Sequence, residues 1–225
     1  MKDRSLAGET TGIGLTISGK LAEDKYVEIN AERIPPDEFL HEHIRHMPGE
    51  TRAVDIEKPG LEIGKYKDLK ILVMNAGRGI HEKIREGHPD KWRNILNLHI
   101  CRTLRVLRAD LPFMDNGNVI FLSSVSASNT HPSGGNYATT KGALATQAET
   151  LRHEEQPEIK LTDISPGIVN TPFFKDILSS KNRTGADPRE SIEPEEIAGA
   201  VLIAVNRRSG TTINNMIIRS LKGVL

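Results

Sequence analysis

Short runs of Ile, Val and Leu recur along the chain, separated by stretches whose apolar residues repeat every three or four positions. The short runs are typical of buried strands, and the longer periodic stretches are typical of helices that pack by one face. Their alternation predicts an α/β fold: a doubly wound, parallel, seven-stranded sheet with helices on both faces. The strands are expected around residues 6–7 and at residues 26–31, 52–54, 69–74, 118–123, 160–164 and 214–218.

The periodic stretches place helices at residues 14–23, 89–114, 136–155 and 193–205. No repeat or long linker interrupts them, so residues 1–225 are expected to form a single domain. The first strand is a difficulty, because Leu6 and Ala7 alone precede Gly8 where a central strand of about five residues should run. Either residues 2–5 extend this strand, or the sequence lacks a few residues before it.

A glycine-rich turn with Gly8, Gly12 and Gly14 follows the first strand and opens the first helix. Glycines let the backbone approach a ligand closely, and the free N–H groups of a helix N-terminus favour a diphosphate. Glu32 follows Gly14 by eighteen residues, at the end of the second strand, where a carboxylate can accept both hydroxyls of an adenosine ribose. The turn and Glu32 together therefore predict a dinucleotide site. Taken singly, the glycines could form an ordinary flexible turn, and Glu32 could be an ordinary surface carboxylate.

The charges near this turn bear on which dinucleotide is bound. Glu32 and Glu9 would both repel a 2′-phosphate, which favours NAD over NADP. Arg33, directly after Glu32, weakens that preference.

Composition narrows the function classes. The 30 Lys and Arg balance the 30 Asp and Glu, so no net field gathers nucleic acid or an anionic membrane surface. Cys101 is the one cysteine and cannot form an internal disulfide, and no apolar run resembles a signal peptide or a membrane helix. A cytoplasmic protein with neither nucleic-acid nor membrane partners is expected.

Ser124, Tyr137 and Lys141 are the candidate catalytic residues. Tyr137 and Lys141 lie four apart on a predicted helix, so the ammonium can approach the phenol and favour its ionised form. Ser124 follows the predicted strand at residues 118–123, at the sheet edge where sites form, and its hydroxyl can polarise a carbonyl. Each feature arises often by chance, and a serine after a strand is commonly a helix cap, so the joint spacing carries the prediction.

Together these motifs resemble the short-chain dehydrogenase/reductase family in its simple single-domain form, over nearly the whole chain. That resemblance implies a Rossmann-type fold. It also implies a cofactor site, with an adenine contact at Asp55 and a segment beside the nicotinamide at residues 166–171. The positions that resemble cofactor-binding residues are Gly8, Thr11, Gly12, Ile13, Gly14, Glu32, Asp55, Asn75, Ala76, Gly77, Tyr137, Lys141, Pro166, Gly167, Ile168 and Thr171.

The resemblance also implies a chemistry: NAD(P)-dependent interconversion of an alcohol and its carbonyl, with no metal. Tyr137 would act as general acid and base, Ser124 would hold the substrate oxygen, and Lys141 would lower the pKa of the tyrosine and bind the nicotinamide ribose. Homodimers or homotetramers are implied, and the helices at residues 89–114 and 136–155 carry apolar surface for such contacts. A small substrate is expected, because the segment between Pro172 and Glu193 is short. Residues 134–137 and 214–219 also resemble, less specifically, the branch of the family that acts on hydroxy acids and serine-like alcohols.

One position departs from the family pattern. His99 stands where the family usually has an asparagine that holds a relay water. Asn97 cannot replace that asparagine without a register change, because two positions turn a helix by about 200°. His99 is therefore a candidate catalytic proton relay, and a packed structural histidine is the equally weighted alternative.

Two other functions are conceivable for this sequence: metal binding, and dinucleotide binding without catalysis. The histidines of residues 41–46 do not have the spacing of a zinc protease, and on a helix only His43 and His46 would share a face, so no metal site is expected. A protein that binds a dinucleotide without catalysing, as a sensor or interaction module, would keep the same fold. The short first strand and His99 favour this alternative, whereas the intact Ser124, Tyr137 and Lys141 favour an enzyme.

Overall fold

A computed structural model describes residues 2–7, 12–23, 26–30, 44–46, 69–173 and 191–222. Within these ranges, seven parallel strands form one sheet in the order β3-β2-β1-β4-β5-β6-β7, which confirms the predicted doubly wound architecture. The order reverses between β1 and β4, which is where sheets of this kind bind ligands. The strands are β1 Lys2–Ala7, β2 Tyr26–Asn30, β3 Ile44–His46, β4 Leu69–Met74, β5 Met114–Leu122, β6 Lys160–Pro166 and β7 Asn215–Ile218.

The first strand is six residues long, because Lys2–Ala7 pairs with β2 on one side and with β4 on the other. Residues 2–5 therefore extend the short apolar stub, as one of the two explanations expected. The hydrophobic pattern missed these residues because it reports side chains, whereas strand pairing is made by the backbone.

A strand that the sequence analysis did not predict pairs with β2. It is Ile44–His46, paired through Glu28↔Ile44 and Asn30↔His46. The strand predicted at residues 52–54 lies outside the described residues, as does His43, and the helical face considered for His43 and His46 does not apply to His46, which is in a strand. A three-residue edge strand is too short to show an alternating pattern.

The helices differ from prediction mainly in the long segment before β5. Instead of one helix over residues 89–114, the chain forms a helix, a π-helical turn at Asn97–Cys101, a second helix and a 3₁₀ turn at Leu111–Phe113, and Met114 already belongs to β5. A π turn adds one residue to a helical turn and barely disturbs apolar spacing, so the sequence does not reveal it. The helices are α1 Gly12–Glu23, α2 Pro89–Leu96, α3 Arg102–Asp110, α4 Gly135–Glu155 and α5 Pro194–Val205.

Two hydrophobic cores cover the two faces of the sheet. Alternate residues of β5 supply both: Ile120 and Leu122 face α1 and α5, while Val119 and Phe121 face α3 and α4. This explains why the central strands read as apolar on both faces. The helices contribute Ile17, Leu21, Ile197 and Val201 to the first core and Leu107, Leu144, Ala148 and Leu151 to the second.

Candidate active site

Ser124 lies just beyond the carboxyl end of β5, at the edge of the sheet where the chain order reverses. It caps a short 3₁₀ turn, Val125–Ala127, and its Oγ accepts a hydrogen bond from the Ser126 N–H at 3.1 Å. Its side chain is buried. The capping role that competes with catalysis in the sequence is therefore real, and it leaves the hydroxyl hydrogen free to donate elsewhere.

Tyr137 and Lys141 occupy successive turns at the start of α4 and point to the same side. The Lys141 Nζ lies 5.8 Å from the centre of the Tyr137 ring. It also donates a 2.8 Å hydrogen bond to the carbonyl of Leu122, the last residue of β5. This bond ties the lysine to the strand that leads into Ser124. The fold thus brings Ser124, Tyr137 and Lys141 into one cluster.

Burial controls the ionisation of this cluster. It raises the pKa of Tyr137 to about 12, against a smaller lowering by the hydrogen bond with Ser124. Burial therefore acts against the acidity that the sequence analysis expects for this phenol. Burial also lowers the pKa of Lys141 to about 8, while the charge of Asp163 acts in the opposite direction. At neutral pH the cluster holds a neutral phenol and an ammonium.

Asp163 is a buried carboxylate that sequence reasoning missed. It lies on β6, next to β5, and burial raises its pKa while hydrogen bonds to Ser123 and the charges of Lys141 and Arg152 lower it. Arg152, also buried, donates to the Asn214 carbonyl at 2.9 Å. The signal was available, since an acidic residue between Leu161 and Ile164 in a predicted central strand needs a partner.

The loop after β4 lies directly against the cluster. A Cβ added to Gly77 would lie 3.2 Å from the His99 Nε2 and 3.7 Å from the Lys141 Nζ. Gly77 therefore lies against His99 and Lys141, and a larger residue at position 77 would crowd both side chains.

His99 is fully buried and sits in the π turn between α2 and α3. Its Nε2 accepts a 2.9 Å hydrogen bond from the Arg78 backbone N–H, and its Nδ1 lies 2.7 Å from the Thr140 Oγ1. Burial, and secondarily the charge of Lys141, lower the pKa of His99 to about 3. Asn97 is exposed, so the register change of the π turn does not bring it into the site.

The predicted nicotinamide segment meets the start of the first helix. Gly12 has φ +60° and a Cβ added there would lie 3.2 Å from the Thr171 Cγ2, so only glycine fits this close approach. The first turn of α1 carries no acidic residue that would repel an anion. Gly12, Ile13 and Gly14 begin that helix, and Gly14 is buried.

The segment that contains Thr171 is held by β7 and by the strand-like residue Ile192. The N–H of Gly167 donates to the Ile218 carbonyl at 2.8 Å, and the Ile168 carbonyl accepts from the Ile192 N–H at 2.9 Å. Pro166 ends β6, which places this segment at the same sheet edge as Ser124. The residues present thus fit a dinucleotide that runs from the start of α1 toward the catalytic cluster.

Four of the predicted cofactor residues, Gly8, Thr11, Glu32 and Asp55, lie outside the described residues. Their roles at the adenosine and phosphate end remain predictions.

In the part of the chain that the structure describes, no group of three or more His, Cys, Asp or Glu side chains is arranged to hold a metal ion. No helix in those ranges has the length and apolar character needed to span a bilayer.

Comparisons with known proteins concern the chain as a whole. Residues 5–182 match the sequence model of the family described as short chain dehydrogenase. An uncharacterised oxidoreductase of Staphylococcus aureus is 32% identical over 226 residues, which cover 95% of each chain.

Two solved structures share the fold. An alcohol dehydrogenase from Thermococcus sibiricus, complexed with 5-hydroxy-NADP, superposes with a TM-score of 0.87 at 22% identity and covers 100% of this chain and 99% of its own. Serine dehydrogenase from Escherichia coli superposes with a TM-score of 0.84 at 19% identity and covers 99% of this chain and 100% of its own.

Proposed function

The chain belongs to the short-chain dehydrogenase/reductase family, and from that premise we propose that it interconverts a small alcohol and its carbonyl, with Tyr137 as general acid and base. Family membership makes it an NAD(P)-dependent oxidoreductase. The observation that carries the finer proposal is the cluster of Ser124, Tyr137 and Lys141, which the Lys141 bond to the Leu122 carbonyl ties to the end of β5.

The ionisation of the cluster suits carbonyl reduction directly. A neutral Tyr137 phenol, with its pKa raised to about 12, can donate its proton to a carbonyl oxygen as negative charge develops there. The Ser124 hydroxyl, whose oxygen is occupied as an acceptor by Ser126, donates a second hydrogen bond to the same substrate oxygen. When bound, the nicotinamide supplies or accepts the hydride.

In the reverse direction Tyr137 removes the hydroxyl proton of the alcohol. Burial opposes the phenolate this requires, so positive charge beside the ring must compensate. The Lys141 ammonium supplies part of that charge, since its Nζ lies 5.8 Å from the ring centre. Lys141 would also bind the nicotinamide ribose; in support, its Nζ would lie 3.7 Å from a Cβ added to Gly77, another predicted cofactor residue.

For the cofactor we propose NAD in preference to NADP. Glu32, expected at the end of β2, would accept the ribose hydroxyls and repel a 2′-phosphate. The archaeal alcohol dehydrogenase with the same fold was captured with an NADP derivative, so the preference rests on Glu32 and Glu9, and Arg33 acts against it.

Cofactor binding and turnover test the function together. NADH, titrated by fluorescence, is expected to bind about tenfold more tightly than NADPH, a difference of about 1.4 kcal/mol that one repelled phosphate can supply. Small alcohols and aldehydes, including serine-like alcohols and hydroxy acids, are then screened by absorbance at the nicotinamide band. Turnover with at least one of them is expected.

Binding of NADH without turnover of any compound would instead support the sensor or interaction protein. Two features of the sequence favoured this alternative, the short first strand and His99. The first no longer supports it, because β1 is six residues long. No binding of either nucleotide would contradict both proposals.

We also expect self-association. Leu96 on α2 and Leu104 on α3 are 41% and 50% exposed, which leaves apolar surface on the segment predicted to form the contact. Light scattering at micromolar concentration is expected to give a dimer or tetramer. Replacing both leucines with glutamate should shift the mass toward the monomer, whereas a monomeric wild type would contradict the prediction.

A further inference from the structure

We propose that His99 is a positioning residue, whose imidazole joins the loop after β4 to the catalytic turn of α4 and does not itself carry a proton. The proposal rests on the proposed function, because it assigns His99 a part in holding Tyr137 and Lys141 in place. It decides between the two roles that the sequence left open for this residue.

The hydrogen bonds around the ring form one chain with a single direction. The Arg78 N–H can only donate, so the His99 Nε2 that receives it at 2.9 Å carries no hydrogen. The neutral ring then has its hydrogen on Nδ1, which donates to the Thr140 Oγ1 at 2.7 Å. The Thr140 hydroxyl donates a hydrogen bond to the Tyr137 carbonyl at 2.8 Å. The His99 ring and the Thr140 hydroxyl therefore each accept one hydrogen bond from one side and donate one to the other.

The two ends of this chain are the two halves of the active site. Arg78 follows Gly77, the residue that approaches both His99 and Lys141. The other end, Thr140, lies between Tyr137 and Lys141 on α4. The His99 ring also contacts the Tyr137 ring edge-on, with centroids 6.0 Å apart. Movement of the imidazole would therefore shift the loop and the catalytic turn relative to each other.

Carrying a proton would break this arrangement. A proton added at Nε2 would displace the Arg78 N–H and break the bond that ties the loop after β4 to the ring. It would also set a positive ring beside the Lys141 ammonium, since a single point over Gly77 lies within 3.2 Å of Nε2 and 3.7 Å of Nζ. The charged and titratable groups that face the ring are Lys141 and Tyr137 on α4, and no carboxylate among the described contacts of the ring would offset the charge.

The π turn accounts for how the ring reaches this position. It sets His99 inward while its neighbours Asn97 and Cys101 stay exposed. The His99 carbonyl accepts a hydrogen bond from the Thr103 hydroxyl at 2.7 Å, so the backbone of the turn has a contact separate from those of the imidazole ring.

The first test is independent of turnover. Nitrogen NMR of the histidine rings in the cofactor-free protein should show His99 as the neutral Nδ1–H form, unchanged from pH 5 to pH 9. In Thr140→Val the Nδ1 partner is lost and the His99 nitrogen shifts should move, whereas in Thr140→Ser they should stay near the wild-type values. A His99 ring that titrates between pH 5 and pH 8, or that is unmoved in Thr140→Val, overturns the proposal.

The second test uses a double-mutant cycle on kcat at saturating cofactor and substrate. His99→Phe and Thr140→Val are each expected to lower kcat about 10- to 100-fold, as a displacement of a catalytic group does. Because both remove the same bridge, the double variant should be no slower than the worse single variant. Thr140→Ser should keep kcat within about threefold of wild type. Multiplying losses in the double variant would show two independent roles and overturn the bridge.

The pH profile of kcat/KM separates positioning from proton transfer. His99→Phe should lower the profile without changing its shape, and Thr140→Val should do the same. Loss of an ionisation in His99→Phe alone would assign the ring to the proton path. If wild type shows no turnover at all, the proposed function fails, and the NMR measurement still decides the bridge.

Discussion

Replacing Tyr137 by phenylalanine is expected to lower kcat by about 10²- to 10⁴-fold, while the Kd for NADH changes by less than about threefold. The substitution removes the proton that the phenol donates and keeps the ring that packs against His99 and Phe173. Because the phenol has a pKa of about 12 and is neutral at pH 7, its loss removes the acid itself and not a charge. Steady-state kinetics and fluorescence titration measure the two effects separately.

Ser124→Ala is the matched comparison for the tyrosine variant. It removes one hydrogen bond to the substrate oxygen and leaves the acid in place, so its kcat should fall less, by about 10- to 100-fold. A phenylalanine variant as active as wild type would reject Tyr137 as the proton donor. If the phenylalanine variant lost activity and also melted at a much lower temperature than wild type, the loss of activity would be attributed to misfolding.

Replacing Lys141 by methionine is expected to damage both steps, with kcat/KM for carbonyl reduction falling about 10³-fold and the Kd for NADH rising at least about tenfold. Methionine keeps much of the buried stem but loses the ammonium beside Tyr137 and its bond to the Leu122 carbonyl. Lys141→Arg keeps the charge in a larger group and should recover part of the cofactor affinity with little of the turnover. If the Kd for NADH were the same in the methionine variant as in wild type, Lys141 would not be a cofactor-binding residue.

The pH dependence of the lysine follows from its pKa of about 8, which burial lowers from 10.5. The ammonium is present below this value and is lost as pH rises through it, so kcat/KM for carbonyl reduction should fall above about pH 8. In Lys141→Arg that alkaline limb should vanish, because arginine stays charged. Asp163→Asn removes the charge that holds the pKa of Lys141 up and should move the limb to lower pH. A limb that does not move would deny the coupling between the two residues.

The catalytic cluster was predictable from the sequence because its geometry is mostly local. Tyr137 and Lys141 share a face through helical spacing, and Ser124 reaches the site because it follows a strand. The strand at Ile44–His46 and the division of residues 89–114 were missed for a common reason, since a short edge strand and a π turn leave hydrophobic periodicity almost unchanged.

The groups around the cluster could not be predicted in this way. In the sequence Asp163 is one polar residue in a strand. Only the folded structure brings its charge near Lys141 and Arg152, where it raises the pKa of Lys141. His99 offered two roles of equal weight because its partners Arg78 and Thr140 are 21 and 41 positions away in the chain. The Glu32 and Asp55 assignments, and the single domain over residues 1–225, remain predictions.

The sequence by itself determined the alternation of strands and helices and the spacing of the candidate catalytic residues. Those properties follow from backbone geometry and from spacing over a few residues. Only the tertiary structure decided which groups are charged, since Tyr137, Lys141 and His99 all have pKa values moved chiefly by burial. Burial is made by side chains that are distant in the sequence, so the protonation of the site emerges only when β5, α4 and the π turn pack together.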